Sequence, residues 1–443
     1  MKKLFISVIS LLFISNCAFA GLKQDISSVI YKSGINSSSV SVSVKNIKTG
    51  KVTYELNPQT PVPPASIQKI VTETPAFMTL GEDYKFSTKL YKNNKEDYVV
   101  VLGADPYLSS KDLEKLVKFI PKEPHSVQVD SSVIDTCEWG EGWQWDDELN
   151  PYMPKFSAYN IDKNMMEITI SPTVNGFPAS ITQDISYPLT FINNIKTGKT
   201  TKFSLKRQSN MAPDTIIAEG TIQFNKSSMR EIPVSNPKKY FTMRLSEAII
   251  NRNISSNGVY EEVKIDGNYT LLTLLSHDLE KAKKDIFKNS DNMVSETVFK
   301  LAGGKYCQNT GSFESGMMMF NDFCKQHHLD RSRVNIVDAS GVSKNNLMIA
   351  DFMTEFLIRT QGFLEQELPT AGEGTLSKRM LYLKDAVHAK TGTLNNVSSI
   401  AGYITTQKGQ KYVFCIMINT AENSPSDKKM LEEYILRTIY TKG

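Results

Sequence analysis

Three short segments of the chain contain the residue types that acyl transfer through a serine requires. They are Ser66-Ile67-Gln68-Lys69, Ser290-Asp291-Asn292 and Lys390-Thr391-Gly392, in that order. A serine with a lysine one helical turn later is a nucleophile beside its own base, and a distant Ser-x-Asn and Lys-Thr-Gly would complete such a site. None of the three patterns is rare, so the surroundings of each must decide whether it is functional.

The Ser-x-x-Lys pattern occurs three times. In Ser235–Lys238 a proline, Pro237, breaks the helix that would stack the two side chains. The serine of Ser426–Lys429 is expected to be the N-cap of the last helix. Only Ser66 begins a long apolar segment with helical periodicity, which places Lys69 on the same helix face one turn later. A plain helix cap is the alternative role for this serine.

Lys-Thr-Gly also occurs three times. Lys48–Gly50 and Lys196–Gly198 are each followed by another lysine, and both are predicted to be exposed hairpin turns. The third copy lies within residues 389–394, and the apolar run 400–404 follows it. This pattern predicts a strand, in which a glycine often marks the close approach of a ligand or of another backbone segment.

Ser-x-Asn is the least specific pattern, because it recurs at Ser255–Asn257 and Ser343–Asn345. Ser290 is preferred because it lies between two segments with helical periodicity, and Asn292 begins the second of them. A helix cap is again the alternative. The joint occurrence of all three patterns in one order favours the functional interpretation.

The first twenty residues are predicted to be a cleaved signal peptide. Lys2 and Lys3 are followed by a short apolar run and by Ala18-Phe19-Ala20, a small-x-small cleavage site, so the mature chain is expected to begin at Gly21 and to be periplasmic. Lipidation at Cys17 is the alternative. Removal of the two lysines takes the formal charge from +4 to +2, which is too weak to indicate a nucleic-acid partner.

The elements predicted from periodicity divide the chain into two ends and a middle. A hairpin (39–44 and 51–56) and a helix from residue 67 to about 81 precede a β-rich middle with strands near 98–102, 167–171 and 215–224. Helices are then predicted at 271–288 and 293–302, strands at 387–394, 400–405 and 412–418, and a helix at 427–440. The predicted domains are 21–86 and 270–443, which form one α/β domain, and 87–269, a β-rich insertion.

Four cysteines remain after export: Cys137, Cys307, Cys324 and Cys415. An oxidising compartment permits disulfides, and Cys307 and Cys324 are close enough in sequence to pair. Cys415 lies in an apolar run and is predicted to be a buried thiol. No Cys-x-x-Cys spacing is present and histidine is scarce, so neither a metal nor a cofactor is predicted.

The chain resembles the class C low-molecular-mass penicillin-binding proteins, which are exported D-alanyl-D-alanine carboxypeptidases and endopeptidases of the penicillin-binding protein 4 type. The resemblance covers most of the chain. The segments that carry it are Pro64–Lys69, Gly142–Asp147, Lys288–Met293, Asp338–Ser343, Leu368-Pro369 with Gly374–Leu376, and His388–Gly392. One departure is Ala339, where glycine is common in the family.

The resemblance implies a fold and an activity. The fold would be a penicillin-recognising, transpeptidase-like α+β domain, with an antiparallel sheet flanked by helices, split by a large β-rich insertion. The activity would be that of a serine-type D-Ala-D-Ala carboxypeptidase, with or without endopeptidase activity on cross-links. Its partners would be peptidoglycan stem peptides and β-lactams, with at most peripheral membrane association. The sequence predicts no oligomeric state.

The resemblance also assigns roles to individual residues. Ser66 would be the nucleophile and Lys69 its base, and Ser290 would pass a proton to the leaving D-alanine. The carboxylate and amide of the substrate would be bound by Lys390, Thr391, Gly392, Thr393 and Asn292. The backbone N–H groups of Ser66 and Thr393 would form the oxyanion hole.

Two assignments remain open. Asp147 would bind the amine of the stem-peptide diamino acid, although a surface turn is an equal alternative. Its neighbours Trp143 and Trp145 are expected to pack inside the insertion.

A β-lactamase is an alternative enzyme, although the sequence contains no identifiable deacylating glutamate. A non-catalytic sensor of peptidoglycan or β-lactams is an alternative of a different class.

Overall fold

The computed structural model describes residues 21–184, 187–255 and 262–443. The predicted signal peptide, residues 1–20, and part of the Ser255–Asn257 pattern lie outside the described residues. The strands are β1 (Val40–Asn46), β2 (Val52–Leu56), β3 (Lys85–Lys92), β4 (Asp97–Val101), β5 (Ser126–Asp130), β6 (Met165–Ser171), β7 (Ser180–Gln183), β8 (Thr190–Gly198), β9 (Lys202–Ser209), β10 (Ala212–Gln223), β11 (Ser228–Pro233), β12 (Thr270–Asp278), β13 (Val334–Asn335), β14 (Leu347–Met348), β15 (Val387–Leu394), β16 (Val397–Thr405) and β17 (Lys411–Asn419).

The helices are α1 (21–32), α2 (Gln68–Leu80), α3 (Ser110–Leu116), α4 (Pro237–Asn251), α5 (Leu279–Lys283), α6 (Asn292–Cys307), α7 (Phe313–Gln326), α8 (Ala350–Leu364) and α9 (Pro425–Lys442). A π-helical turn, Lys284–Lys288, continues α5. The chain forms two compact units. Unit 1 comprises residues up to Met78, Lys283–Asp291 and Met317–Gly443, and unit 2 comprises Thr79–Ala282 and Asn292–Gly316.

Unit 1 contains a five-stranded sheet in the order β15-β16-β17-β1-β2, in which all neighbours are antiparallel. The three middle strands, β16, β17 and β1, are buried on both faces along most of their length, so the sheet is covered on both sides. Alternate residues such as Val42, Ile400 and Ile416 pack in one core with residues of α1 and α9. On the opposite face, Tyr403 donates to the backbone of α8. The sheet is therefore the middle layer of the unit.

The last helix begins two residues earlier than predicted. Ser424 is the N-cap, and it exchanges hydrogen bonds with Asp427 in a capping box, with Pro425 at the first helical position. The prediction that Ser426 caps this helix is therefore wrong. A proline cannot donate a backbone N–H, so the helix starts at the proline and the cap falls on the residue before it.

Unit 2 contains three small sheets, in the orders β12-β3-β4-β5, β8-β10-β9 and β11-β6-β7. The predicted helix at 271–288 is wrong over its first half, because Thr270–Asp278 is a strand that pairs with β3. Its leucines, at 271, 272, 274 and 275, fit helical and extended periods equally well. Hydrogen bonds to β3 pair the backbone N–H and C=O groups of this segment, and they favour the extended conformation over the helix.

The tryptophan-rich segment of unit 2 is only partly packed. Trp143 is buried, with its ring against those of Trp139 and Phe156 at centroid distances of 4.9 and 5.7 Å. Trp145 is half exposed, so the prediction that it packs inside the insertion is wrong. It lies in a short 3-10 turn, Trp145–Asp147, that is followed by a surface loop.

All four cysteines of the described chain are free thiols, and Cys415 is buried as predicted. The suggested pairing of Cys307 with Cys324 is therefore not made. Within residues 21–184, 187–255 and 262–443, no group of three or more His, Cys, Asp or Glu side chains could hold a metal ion. None of the described helices is long and apolar enough to cross a membrane.

Candidate active site

Ser66 lies in a tight 3-10 turn that leads directly into α2. Lys69 follows on the same helix face, and its side chain is fully buried. The Lys69 ammonium donates to Ser66 Oγ over 3.1 Å and to the carbonyl oxygen of Ser340 over 2.6 Å. The predicted pair is thus in hydrogen-bond contact, and a residue that sequence reasoning had not assigned to the site, Ser340, contributes an acceptor.

The turn that holds Ser66 has a strained backbone. Ala65 has φ of 51°, in the left-handed region that a residue with a Cβ rarely adopts. Two glycines pack against this turn. A Cβ on Gly341 would overlap the carbonyl of Ala65, and one on Gly392 would lie 2.8 Å from the Ser66 nitrogen. Both positions therefore require glycine, and both hold the nucleophile in place.

A buried aspartate organises the loop that carries the carbonyl contacted by Lys69. The carboxylate of Asp338 accepts from the backbone N–H groups of Gly341 (2.7 Å) and Ser343 (2.6 Å) and from the Asn346 amide (2.9 Å). The Gln68 amide, on α2, donates to the Asp338 carbonyl over 2.5 Å. The loop is thus fixed both to itself and to the helix that follows the nucleophile.

The second serine of the site, Ser290, lies two residues after the end of the π-helical turn. It has φ of 66°, and the Phe287 ring, three residues before it, packs on that of Phe77 in α2 at 5.6 Å. The ammonium of Lys390, on β15, donates to Ser290 Oγ over 2.8 Å. A strand and a strained turn thus bring these two residues together.

Lys390 is completely buried in unit 1. Desolvation lowers its pKa well below the usual value of 10.5, and repulsion by the charge on Lys69 lowers it further. The repulsion is mutual, so the two amines resist carrying two full positive charges at once. Burial and this repulsion therefore both favour the neutral form of the Lys390 amine.

The rest of the Lys-Thr-Gly strand lies at the edge of the five-stranded sheet. Thr391 is half-buried and donates to Thr375 Oγ1 over 2.8 Å, while Thr393 is exposed. On the neighbouring strand, Ser399 donates to the carbonyl of Pro64 over 2.7 Å and so ties the sheet to the turn of the nucleophile. Sequence reasoning missed Thr375 and Ser399 as supporting residues, because single hydroxyls carry no pattern.

Asn292 and Asp147 belong to unit 2. Asn292 is the first residue of α6, and its side-chain amide donates to the carbonyl of Tyr152 over 2.8 Å. Asp147 is half-buried in its 3-10 turn, and its carbonyl accepts from the N–H of Asn150. The substrate-binding roles of both residues remain predictions.

The chain is similar to known proteins along most of its length. Residues 22–437 match the D-Ala-D-Ala carboxypeptidase 3 (S13) family. The chain is 24% identical over 418 residues to D-alanyl-D-alanine carboxypeptidase DacB of Haemophilus influenzae, covering 86% of this chain and 85% of that protein. It is 22% identical to a D-alanyl-D-alanine carboxypeptidase of an Actinomadura species, over 93% of this chain and 83% of the relative.

A solved structure has the same fold. The crystal structure of penicillin binding protein 4 (dacB) from Haemophilus influenzae superposes with a TM-score of 0.82 at 22% identity, covering 96% of this chain and 99% of that one. The predicted fold, an α+β penicillin-recognising domain with a β-rich insertion, is confirmed. The family match confirms the resemblance and the enzyme class predicted from the motifs. The chain belongs to the D-Ala-D-Ala carboxypeptidase 3 (S13) family.

Proposed function

We propose that this enzyme removes the terminal D-alanine from peptidoglycan stem peptides through an acyl-enzyme formed on Ser66. The observation that carries the proposal is the hydrogen bond from Lys69 to Ser66 Oγ, at 3.1 Å. A serine hydroxyl is a weak nucleophile until a base takes its proton, and the amine one turn along α2 is in contact with it. A neutral Lys69 would accept that proton as Ser66 attacks the carbonyl of the penultimate alanine.

The edge strand β15 is proposed to bind the substrate. β15 is an edge strand whose neighbour in the sheet is β16, and near its start the Ala389 N–H donates to the carbonyl of Pro369. An extended peptide can add to such an edge through backbone hydrogen bonds. Lys390, Thr391 and Thr393 would bind its terminal carboxylate, and the cation on Lys390 would supply most of the attraction.

Charge that develops on the attacked carbonyl oxygen is proposed to be stabilised by the backbone N–H groups of Ser66 and Thr393. Gly392 supports this arrangement, since its missing side chain lets β15 approach the Ser66 nitrogen. One such donor typically contributes about 2.7–4 kcal/mol to the stability of the transition state. Ser290, bonded to Lys390, would then pass a proton to the departing D-alanine, and water would release the shortened peptide.

β-Lactams are proposed to acylate the same serine, because their strained amide mimics the bond that is cleaved. The substrate is a cell-wall polymer, so we also propose that the chain works in the periplasm. Asn292 is proposed to hold the substrate amide. Asp147 is proposed to bind the amine of the diamino acid.

Purified muropeptides are the decisive test. Digestion followed by mass analysis should show loss of a single D-alanine, and cleavage of cross-linked dimers would add endopeptidase activity. Ser66→Ala should abolish both D-alanine release and labelling by fluorescent penicillin, while circular dichroism shows an unchanged fold. Retained turnover would place the nucleophile elsewhere, and rapid loss of the penicillin label from the unmutated enzyme would instead indicate a β-lactamase.

A further inference from the structure

At one end of the β-rich part of unit 2, the surface loops combine exposed apolar side chains with lysines. The connections that follow β6, β8 and β10 meet there, and we call residues 172–179, 196–202 and 223–227 the loop tip. Nothing in the proposed catalysis uses this region.

The loop tip is held together by backbone hydrogen bonds. Gly176 donates to the carbonyl of Thr197, and Thr197 donates in return to that of Phe177, both over 2.9 Å. Phe224 donates to the carbonyl of Gly198 over 3.0 Å. The three connections are thus bonded to one another, so little conformational freedom is left for a partner to remove.

Large apolar side chains project from this rigid framework into solvent. Val174, Phe177 and Phe224 are 66%, 62% and 52% exposed. Scattered exposed hydrophobic residues are normal, but three on hydrogen-bonded neighbouring loops form a patch of the kind that marks an interaction site.

The charge of the loop tip has a single sign. Lys196, Lys199, Lys202 and Lys226 are all exposed, and the tip contains no aspartate or glutamate. None of these lysines forms an ion pair with another residue in the part of the chain that the structure describes. The prediction that Lys196–Gly198 is a hairpin turn is wrong, because these residues end β8, which pairs with β10 and not with the next strand, β9.

We propose that the loop tip docks onto an anionic lipid surface. Exposed aromatic and aliphatic side chains would enter the boundary between headgroups and acyl chains, while the lysines meet the lipid phosphates. A second copy of the chain does not fit, because two tips of the same charge repel. Carbohydrate fits less well, because sugar sites usually combine an aromatic ring with side-chain acceptors and the tip offers no carboxylate.

Sedimentation with lipid vesicles tests the proposal. The full mature chain should bind vesicles that contain phosphatidylglycerol and should remain in the supernatant with pure phosphatidylcholine. Binding should weaken with added salt, because the ionic part of the attraction is screened within about 10 Å at 0.1 M ionic strength. Failure to bind phosphatidylglycerol vesicles at low salt would overturn the proposal.

Paired variants identify the surface. A triple variant should weaken vesicle binding about 100-fold, at about fivefold per lysine; it combines Lys199→Gln, Lys202→Gln and Lys226→Gln. Phe177→Ser with Phe224→Ser should weaken it at least about tenfold. The matched control is Lys48→Gln with Lys51→Gln, which alters the same Lys-Thr-Gly-Lys sequence in an exposed turn of unit 1 and should bind normally.

Two further results would count against lipid docking by the loop tip. One is equal binding of vesicles by the tip variants and the control. The other is a loss of binding to purified peptidoglycan in the tip variants with vesicle binding unchanged, which would make the polymer the partner. D-alanine release from a small soluble peptide should be the same in all of these variants, because the loop tip contains no proposed active-site residue.

Discussion

Lys69 donates a hydrogen bond to Ser66 Oγ from one helical turn further along the chain, at 3.1 Å, and it also donates to the carbonyl of Ser340 at 2.6 Å. A fully buried amine is thereby held between the hydroxyl it would deprotonate and a fixed acceptor. The geometry suits proton transfer, because the base reaches the nucleophile without any movement of the backbone.

Replacement of this base should remove acylation and spare the fold. Lys69→Met keeps the volume of the side chain and removes the amine, so the rate of acylation by fluorescent penicillin should fall about 10²–10⁴-fold. The measurement is stopped-flow labelling, with thermal unfolding to show that the protein is folded. Acylation at the normal rate would contradict a lysine base.

The lowered pKa of Lys390 predicts a loss of activity at alkaline pH. Burial, followed by repulsion from Lys69, lowers the pKa of Lys390 well below 10.5. Its cationic form, which would bind the terminal carboxylate, is therefore lost as pH rises through that lowered pKa. We expect kcat/KM for a peptide substrate to decline on the alkaline side at a pH well below 10.5.

The matched variant for this prediction is Lys390→Arg. An arginine stays charged throughout the range, so the alkaline decline should disappear even if overall activity is lower. A pH profile of both proteins on the same peptide makes the comparison. An identical decline in the arginine variant would assign that titration to another group.

Asp338 should act as a positioning residue. In Asp338→Asn, one oxygen is replaced by an amide that cannot accept from a backbone N–H, so the loop loses part of its support. We expect acylation to slow by roughly 10- to 100-fold through misplacement of the Ser340 carbonyl. Stability should fall by about 1–3 kcal/mol.

The control is Asn345→Ala, at an exposed position of the same loop. Labelling rates at saturating penicillin separate positioning from binding, and they should change only in the Asp338 variant. A variant that loses stability but labels at the normal rate would restrict Asp338 to a structural role.

A buried ion pair behind the active-site sheet should be important for stability. Arg379 pairs with the fully buried Glu432 at 3.0 Å, and the same carboxylate accepts from Ser398, opposite Thr393, at 2.6 Å. Burial raises the pKa of Glu432. Arg379→Met would leave this charge without its cation and should cost about 3–5 kcal/mol, as measured by urea unfolding.

Three comparisons check the origin of that loss of stability. Adding Glu432→Gln should restore part of the lost stability, because no buried charge then remains. The deficit should also shrink as pH falls toward 4.5, since protonation neutralises a carboxyl whose folded-state pKa is raised. Arg437→Met, an exposed neighbour on α9, should have little effect, and an equal cost there would contradict the argument.

Much of the fold could be predicted from the sequence where periodicity and motif agree. The hairpin of β1 and β2, helix α2 and strands β15 to β17 all follow their patterns, because each element has one clear apolar period. The prediction failed at β12, because its leucines fit both a helical and an extended period. The strand that decides between them, β3, lies about 180 residues earlier. Long-range pairing of this kind is invisible in a local window.

The same division applies to the site. Ser66, Lys69, Ser290 and Lys390 could be selected from repeated motifs by their context, and the structure joins them in two lysine–serine pairs. The Ser340 carbonyl could not be selected, because a backbone acceptor leaves no trace in residue type. The strained φ of Ala65 was equally hidden, since alanine gives no sign of a left-handed conformation.

The pairing of β1 with β17 has a consequence for how the enzyme is made. A ribosome produces the helix of the nucleophile within the first 80 residues, but β17, which joins β1 to β16, emerges only at residues 411–419. Until then the Lys-Thr-Gly strand has no sheet that connects it to the first hairpin. Chains that lack β17 are therefore expected to be inactive, because the Lys-Thr-Gly strand is then not joined to the hairpin that precedes the nucleophile.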